Sequence, residues 1–177
     1  MVSNTFIFPL SQDLRETGVP VAWMLTSTAT SATISFFVAW VRDASPAVRP
    51  AVIMTDRDHA QIDALQSVYP RSQIYLCTWH VLRAMRLHFV ITEFPALWDK
   101  IKKWVTTDDL GIFLRLWDEI STDPSVSQSI IDYLTERWIP VVFMWSKTVR
   151  KGRSIYEEGD TNMLIESYVD AFFPLIR

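Results

Sequence analysis

The sequence lacks several features that mark secreted and membrane proteins. It has a single cysteine in 177 residues, which excludes an internal disulfide framework and favours a reducing compartment. Its longest apolar runs, residues 36–41 and 139–145, are far shorter than the about 20 residues that a membrane-spanning helix needs. The amino terminus has no basic stretch followed by an apolar one and so does not read as a secretory signal. We therefore expect a soluble, intracellular protein.

The chain also lacks an excess of positive charge. Its formal net charge is −3 and its pI about 5.6, whereas a free-standing DNA-binding module is usually basic. No cluster of cysteine and histidine is dense enough to form a zinc finger. Any contact with nucleic acid must therefore come from a local basic patch or from segments outside this sequence.

Hydrophobic and aromatic residues are abundant. They make up 49% and 13% of the chain, and the eight tryptophans indicate large packed interfaces between helices. There is no low-complexity tract and no convincing internal repeat. The length fits one domain, or one domain with a sizeable insertion.

The first half of the chain alternates strand-like and helix-like segments. Residues 6–10 and 19–26 predict a hairpin, joined by the polar, glycine-containing residues 11–18. A helix follows, and its predicted inner face carries Ile34, Phe37, Val38 and Val41. The later segments are a strand over 51–55, a helix over 58–69 that ends before Pro70, a strand over 73–76 and a helix over 78–90. Short links between alternating strands and helices predict parallel βαβ pairing and an α/β fold.

From residue 93 the pattern is helical only. Three stripes of apolar residues recur at helical spacing. They are Leu97, Trp98, Ile101, Trp104 and Val105; then Leu110, Phe113, Leu114, Trp117 and Ile120; then Val126, Ile130, Leu134 and Trp138. Asp108 and Asp109 are candidate N-caps for the second stripe.

The predicted organisation has three parts. Residues 1–92 form the α/β core, residues 93–150 an all-helical insertion, and residues 151–177 a charged loop and a carboxyl-terminal helix. On that last helix Asn162, Glu166 and Asp170 recur every fourth residue and so share a face.

Asp56 and Glu166 are the candidate catalytic and metal-binding pair. Asp56 directly follows a predicted strand, and the carboxyl ends of parallel strands are where open α/β sheets place their chemistry. Converging carboxylates suit Mg²⁺, and two such ions about 3.5–4 Å apart clamp the oxygens of a phosphoryl transfer. The alternative is structural: Asp56 caps the next helix and Glu166 faces solvent. Asp58, Asp63 and Asp170 are reserve carboxylates, and Asp58 also suits the first turn of a helix.

The order of these segments resembles MULE (Mutator-like element) transposases. The resemblance rests on the strand with TDRDHA from residue 55, and on the second strand with LCTWH from residue 76. TNMLIESY at 161–168 is similar to the family's TNNxxESxH, and TGVPVA at 17–22 to its GxPVA hairpin.

The resemblance implies an RNase H-like DDE fold and a complete ancestor that cuts and joins DNA at transposon ends through two Mg²⁺ ions in the nucleus. Asp56 would be the second acidic residue of the triad and Glu166 the third. Residues 93–150 would be the insertion that such enzymes carry before the last acidic residue.

Three departures from the family pattern bear on activity. No Asp precedes Asp13, which lies in the hairpin connection, so the first strand and its catalytic Asp are expected to be missing. Met163 replaces the second Asn of the TNN group, and Val169 replaces the expected His. We expect no transposase activity from the chain as written.

Two other functions remain open. The domain could be a non-catalytic, transposase-derived module that binds DNA or protein and associates with itself through its aromatic helices. It could also be a helical scaffold whose motif matches arise by chance.

Cys77, His80 and Arg83, with Asn162, are the candidate DNA-binding or supporting residues. The resemblance places the Cys77-x-x-His80 pair close to the active site. The alternative is that Cys77 is a small buried residue and His80 packs or caps. Arg83 and Arg86 give this helix a partly basic face, and Arg150, Lys151 and Arg153 form a basic loop. Both could contact phosphate, or both could be ordinary solvated surface.

Overall fold

The structure, a computed structural model, describes residues 22–89 and 93–150 together with the backbone of residues 2–6. Its described residues form two compact units, one that ends at Tyr75 and one that begins at Leu76. The first unit mixes strands with helices, and the second is almost entirely helical. The α/β class predicted from the sequence is therefore confirmed. The predicted boundaries at 92 and 150 stay a prediction.

An antiparallel pair of strands opens the first unit. β1 (Val2–Phe6) pairs with β2 (Ala22–Thr26), so that Val2 lies opposite Thr26 and Phe6 opposite Ala22. The antiparallel pairing of the two segments is confirmed, and the described part of the first strand is Val2–Phe6. Residues 7–10 of the predicted first strand lie outside the described residues. The connection at 11–18 lies outside the described residues.

Helix α1 (Ser31–Ala44) buries the four residues that its sequence pattern predicts: Ile34, Phe37, Val38 and Val41. It starts at Thr30, whose side-chain oxygen accepts a hydrogen bond from the N–H of Thr33 at 3.2 Å. α1 packs against α2 (His59–Val68), which buries Ile62, Ala64, Leu65 and Val68. The contact between these two apolar faces forms the core of the first unit.

A parallel βαβ unit is built from β3 (Val52–Thr55), α2 and β4 (Gln73–Leu76). The N–H of Gln73 donates to the carbonyl of Ala51 at 2.9 Å. Because this bond joins the beginnings of the two strands, β3 and β4 run in the same direction and α2 is their crossover. Among the described strands, β1–β2 and β3–β4 are separate pairs.

The second unit continues with helices. They are α3 (Thr78–Arg86), α4 (Pro95–Thr106), α5 (Leu110–Ser121), α6 (Gln128–Arg137), a 3₁₀ turn (Ile139–Val141), α7 (Val142–Trp145) and α8 (Lys147–Arg150). α3 is shorter than predicted. The N–H of His88 donates to the carbonyl of Met85 at 3.1 Å, which tightens and ends the last turn. Within residues 22–89 and 93–150, no helix is long and apolar enough to cross a membrane.

Trp104 is the centre of the aromatic core of the second unit. Its fully buried ring stacks on Phe113, with 5.4 Å between centroids, and on Trp117, with 5.1 Å. The ring of Trp145 meets it edge-on at 4.9 Å. The indole N–H of Trp145 donates to the carbonyl of Trp138 at 2.9 Å, so the polar edge of this ring is satisfied inside the core.

The inner face of α5 differs from the predicted stripe. Phe113, Leu116 and Ile120 are buried, whereas Leu110 and Leu114 are 58% and 56% exposed. Stacking of Trp104 on Phe113 and Trp117 fixes which side of α5 faces inward. Leu114, which is one residue and so about 100° around the helix from Phe113, is thereby left on the outside, as is Leu110 at the start of the helix.

Two substitutions on α5 test this orientation with side chains of equal size. We expect Ile120→Ala to lower the free energy of unfolding by about 2–5 kcal/mol, because it leaves a cavity in the core. We expect Leu114→Ala to lower it by less than about 1 kcal/mol, because that side chain is largely hydrated already. Urea unfolding followed by circular dichroism measures both. Equal losses for the two variants would show that the orientation of α5 is wrong.

Candidate functional site

Asp58, rather than Asp56, caps helix α2. Its carboxylate accepts a hydrogen bond from the N–H of Gln61 at 3.0 Å, and its backbone is extended, as an N-cap residue requires. The structural alternative considered for Asp56, that it caps this helix, is therefore wrong. The expectation that Asp58 supports the first turn is confirmed.

Thr55 and Gln61 link the end of β3 to the first turn of α2. The buried hydroxyl of Thr55 donates to Oε1 of Gln61 at 2.8 Å, across six positions of sequence. Neither residue was among the candidate site residues. The sequence does contain a signal for this contact, because Asp58-His59-Ala60-Gln61 has the spacing of a capping box. In this turn the Gln61 side chain bonds to the strand instead of to the cap residue.

Asp56 lies half-buried directly after β3. Its closest described polar contact is the hydroxyl of Thr55, 3.5 Å from its carboxylate, at the limit of hydrogen-bonding distance. The single proton of that hydroxyl is better placed for Gln61, at 2.8 Å. Among the described residues, no lysine, arginine or histidine nitrogen lies within 4.0 Å of this carboxylate. Asp56 thus has neither a capping role nor an ion-pair partner in the described part of the chain.

The donor chemistry of Asp56 suits Mg²⁺, which binds carboxylate oxygens while keeping several waters. Within the described ranges, no group of three or more acidic, histidine or cysteine side chains is close enough to hold a metal. Glu166 and Asn162, the other predicted site residues, lie outside the described residues, so their convergence with Asp56 stays a prediction.

The Cys77-x-x-His80 segment lies at the start of α3, in the second unit. Cys77 is fully buried at the N-cap position and its thiol makes no capping hydrogen bond. His80 is half-buried, and its ring meets the ring of Trp79 edge-on with 4.8 Å between centroids. The guanidinium of exposed Arg83 lies over the Trp79 ring, 4.9 Å from its centroid, in cation–π geometry. The predicted burial of Cys77 is confirmed, and a role in DNA contact stays a prediction.

The order that suggested a family from the sequence is the order in the structure: a strand, an acidic turn, a helix, a second strand and a Cys-x-x-His helix start. Residues 3–84 match the family model of the MULE transposase domain. This confirms the resemblance over these residues, which include Asp56, Cys77, His80 and Arg83. The MULE match ends before α4, so the TNMLIESY segment lies beyond it. No curated protein and no solved structure matches the chain.

Removing either of the two carboxylates of the β3–α2 turn should have a different effect on the free energy of unfolding. We expect Asp58→Ala to lower the free energy of unfolding by about 1 kcal/mol, because the first turn of α2 loses its side-chain acceptor. Asp58→Asn keeps an acceptor and should restore most of this loss. Asp56→Ala should leave stability almost unchanged. Chemical unfolding of the three variants measures the differences, and a larger loss for Asp56→Ala than for Asp58→Ala would contradict the cap assignment.

Proposed function

We propose that this transposase-related domain contributes Asp56 to a magnesium-dependent phosphoryl-transfer site that acts on DNA. The supporting observation is that Asp56 stands at the carboxyl end of β3 while Asp58 alone caps α2. Under this proposal the βαβ unit belongs to an RNase H-like sheet. Glu166 would be a second acidic ligand, and Asn162 would support it.

The topology around Asp56 supports the proposal. β3 and β4 are parallel neighbours, and the carboxyl ends of parallel strands are where α/β folds bind their ligands. The bond from Thr55 to Gln61 holds the last residue of β3 against the first turn of α2. It fixes the backbone from which Asp56 projects, and a metal ligand needs such support to keep its geometry.

The electrostatics of Asp56 point in the same direction. A carboxylate that is partly removed from water loses hydration free energy unless a cation or hydrogen-bond donors compensate. In the described part of the chain, the Asp56 carboxylate makes no ion pair, and its contact with the Thr55 hydroxyl is 3.5 Å long. No protein cation in this part of the chain occupies its oxygens, so they can bind a divalent ion.

Each group has a defined part in the proposed chemistry. Mg²⁺, when bound, would polarise a phosphate oxygen of DNA as a Lewis acid. Asp56 would bind the metal through a carboxylate oxygen, and Thr55 and Gln61 would position Asp56 without touching the DNA. Cys77 and His80 would support DNA placement, as the resemblance implies.

Binding of Mn²⁺, a paramagnetic substitute for Mg²⁺, tests the proposal. In an electron paramagnetic resonance titration of the full chain, we expect Asp56→Asn to weaken Mn²⁺ binding by at least about tenfold, or 1.4 kcal/mol. Asp63→Asn is the matched control, because it removes the same charge from an exposed position on α2. Competition with Mg²⁺ should release the bound Mn²⁺.

Two outcomes would count against the metal site. One is equal Mn²⁺ affinity for the wild-type protein and Asp56→Asn, and the other is an equal loss for Asp63→Asn. Either would favour the non-catalytic DNA- or protein-binding module. A nicking assay on supercoiled plasmid, run on the same samples, tests the separate expectation that these 177 residues do not cleave DNA.

A further inference from the structure

Two exposed arginines lie next to each other on α3, with no acidic residue on that helix. Arg83 and Arg86 are three residues apart, which makes them neighbours on the surface of the helix. Neither has a carboxylate oxygen within 4.0 Å in the described part of the chain, and α3 contains no acidic residue. Together with Trp79, which is one turn before Arg83, they form a surface that we call the α3 stripe.

Several cations elsewhere in the described residues have acidic neighbours. Lys100 pairs with Glu119 at 3.7 Å and with Asp123 at 3.5 Å. Arg115 on α5 forms no ion pair within 4.0 Å, but Asp118 and Glu119 lie three and four residues after it and share its side of the helix. Among the residues that the structure describes, the α3 stripe has no such acidic side chain to offset its charge.

Trp79 holds Arg83 in place. The Arg83 guanidinium lies 4.9 Å from the centroid of the half-buried Trp79 ring, and the edge-on contact with His80 helps to fix that ring. A guanidinium that already rests on an aromatic face loses less side-chain entropy when it binds a ligand. Its planar N–H donors match the oxygens of a phosphate group.

We propose that the α3 stripe binds the phosphodiester backbone of DNA, with Arg83 and Arg86 each contacting one phosphate. The inference takes from the proposed function only that the partner is DNA. It does not require a metal at Asp56, since the attraction comes from arginine charge and the counterions released from DNA. It also explains how a chain with a net charge of −3 can hold a polyanion, because the contact is local.

Fluorescence anisotropy with a short labelled DNA duplex, in EDTA, tests the proposal on the full chain. We expect Arg83→Gln/Arg86→Gln to weaken binding by about tenfold at moderate salt. Between about 50 and 200 mM NaCl, the slope of log K against log salt should become shallower by about 1.8, since each lost phosphate contact contributes about 0.9. Single-stranded DNA should show a smaller change, of about 1.4.

Arg115→Gln/Arg137→Gln is the matched control. It also removes two exposed arginines from helices of the second unit, and it should bind DNA like the wild-type protein. Because the assay contains EDTA, divalent metal is absent and the result does not depend on the metal site proposed at Asp56. Trp79→Leu should weaken binding but keep the salt slope, because both charges remain.

Three results would overturn the proposal. One is a wild-type protein that does not bind DNA at low salt, and another is a wild-type salt slope shallower than about 1.8, the value for two phosphate contacts. The third is an equal loss of affinity for the stripe variant and the control variant. Circular dichroism of each variant checks that the helices are intact, as the exposure of all four arginines predicts.

Discussion

The first backbone N–H groups of a helix have no partner within the helix. In α2 a side-chain cap accepts a hydrogen bond from one of them, and the choice of cap residue decides which carboxylate of the β3–α2 turn is left to bind a ligand. Asp58 accepts the hydrogen bond from Gln61. The side chain of Gln61 in turn accepts a hydrogen bond from the hydroxyl of Thr55, the last residue of β3. These two bonds use one carboxylate and one amide for structure. Asp56, two residues before the cap, takes no part in either.

Asp56 and Asp58 are close in sequence but have different roles. Asp58 has the role that its position at a helix start predicts, and a neutral amide could replace it there. Asp56 is half-buried with no cation within 4.0 Å among the described residues. A carboxylate without a nearby protein cation is expected at a functional site, where a bound ligand can supply the positive charge. The stability of the turn and the chemistry of the site can therefore be varied separately.

Elements with one possible inner face were predictable from the sequence. α1 has four apolar residues that fit one helical face, and β4 is a short apolar segment between clear breaks, so both were predicted correctly. α5 was harder, because its apolar residues fit two overlapping faces. Leu114 has helical spacing with Leu110 and Trp117, whereas Leu116 has it with Phe113 and Ile120. Only the rings of α4 and α7 that contact Phe113 decide between these two faces. That choice depends on contacts between helices, which periodicity does not contain.

The candidate site was predictable in part for a related reason. The position of Asp56 after a strand follows from local pattern, whereas the choice of cap between Asp56 and Asp58 depends on the backbone of one turn. Net charge is a similarly coarse guide to binding. The value of −3 describes the whole chain, but acidic groups are spread unevenly over its helices. Glu119 on α5 and Asp123 just after it pair with Lys100 of α4, and Asp99 pairs with Lys102 within α4. α3 has no acidic residue, so Arg83 keeps its charge beside an aromatic ring. What a polyanion meets is the potential of one helix face within about 10 Å, the screening length at 0.1 M salt, and not the sum over the sequence.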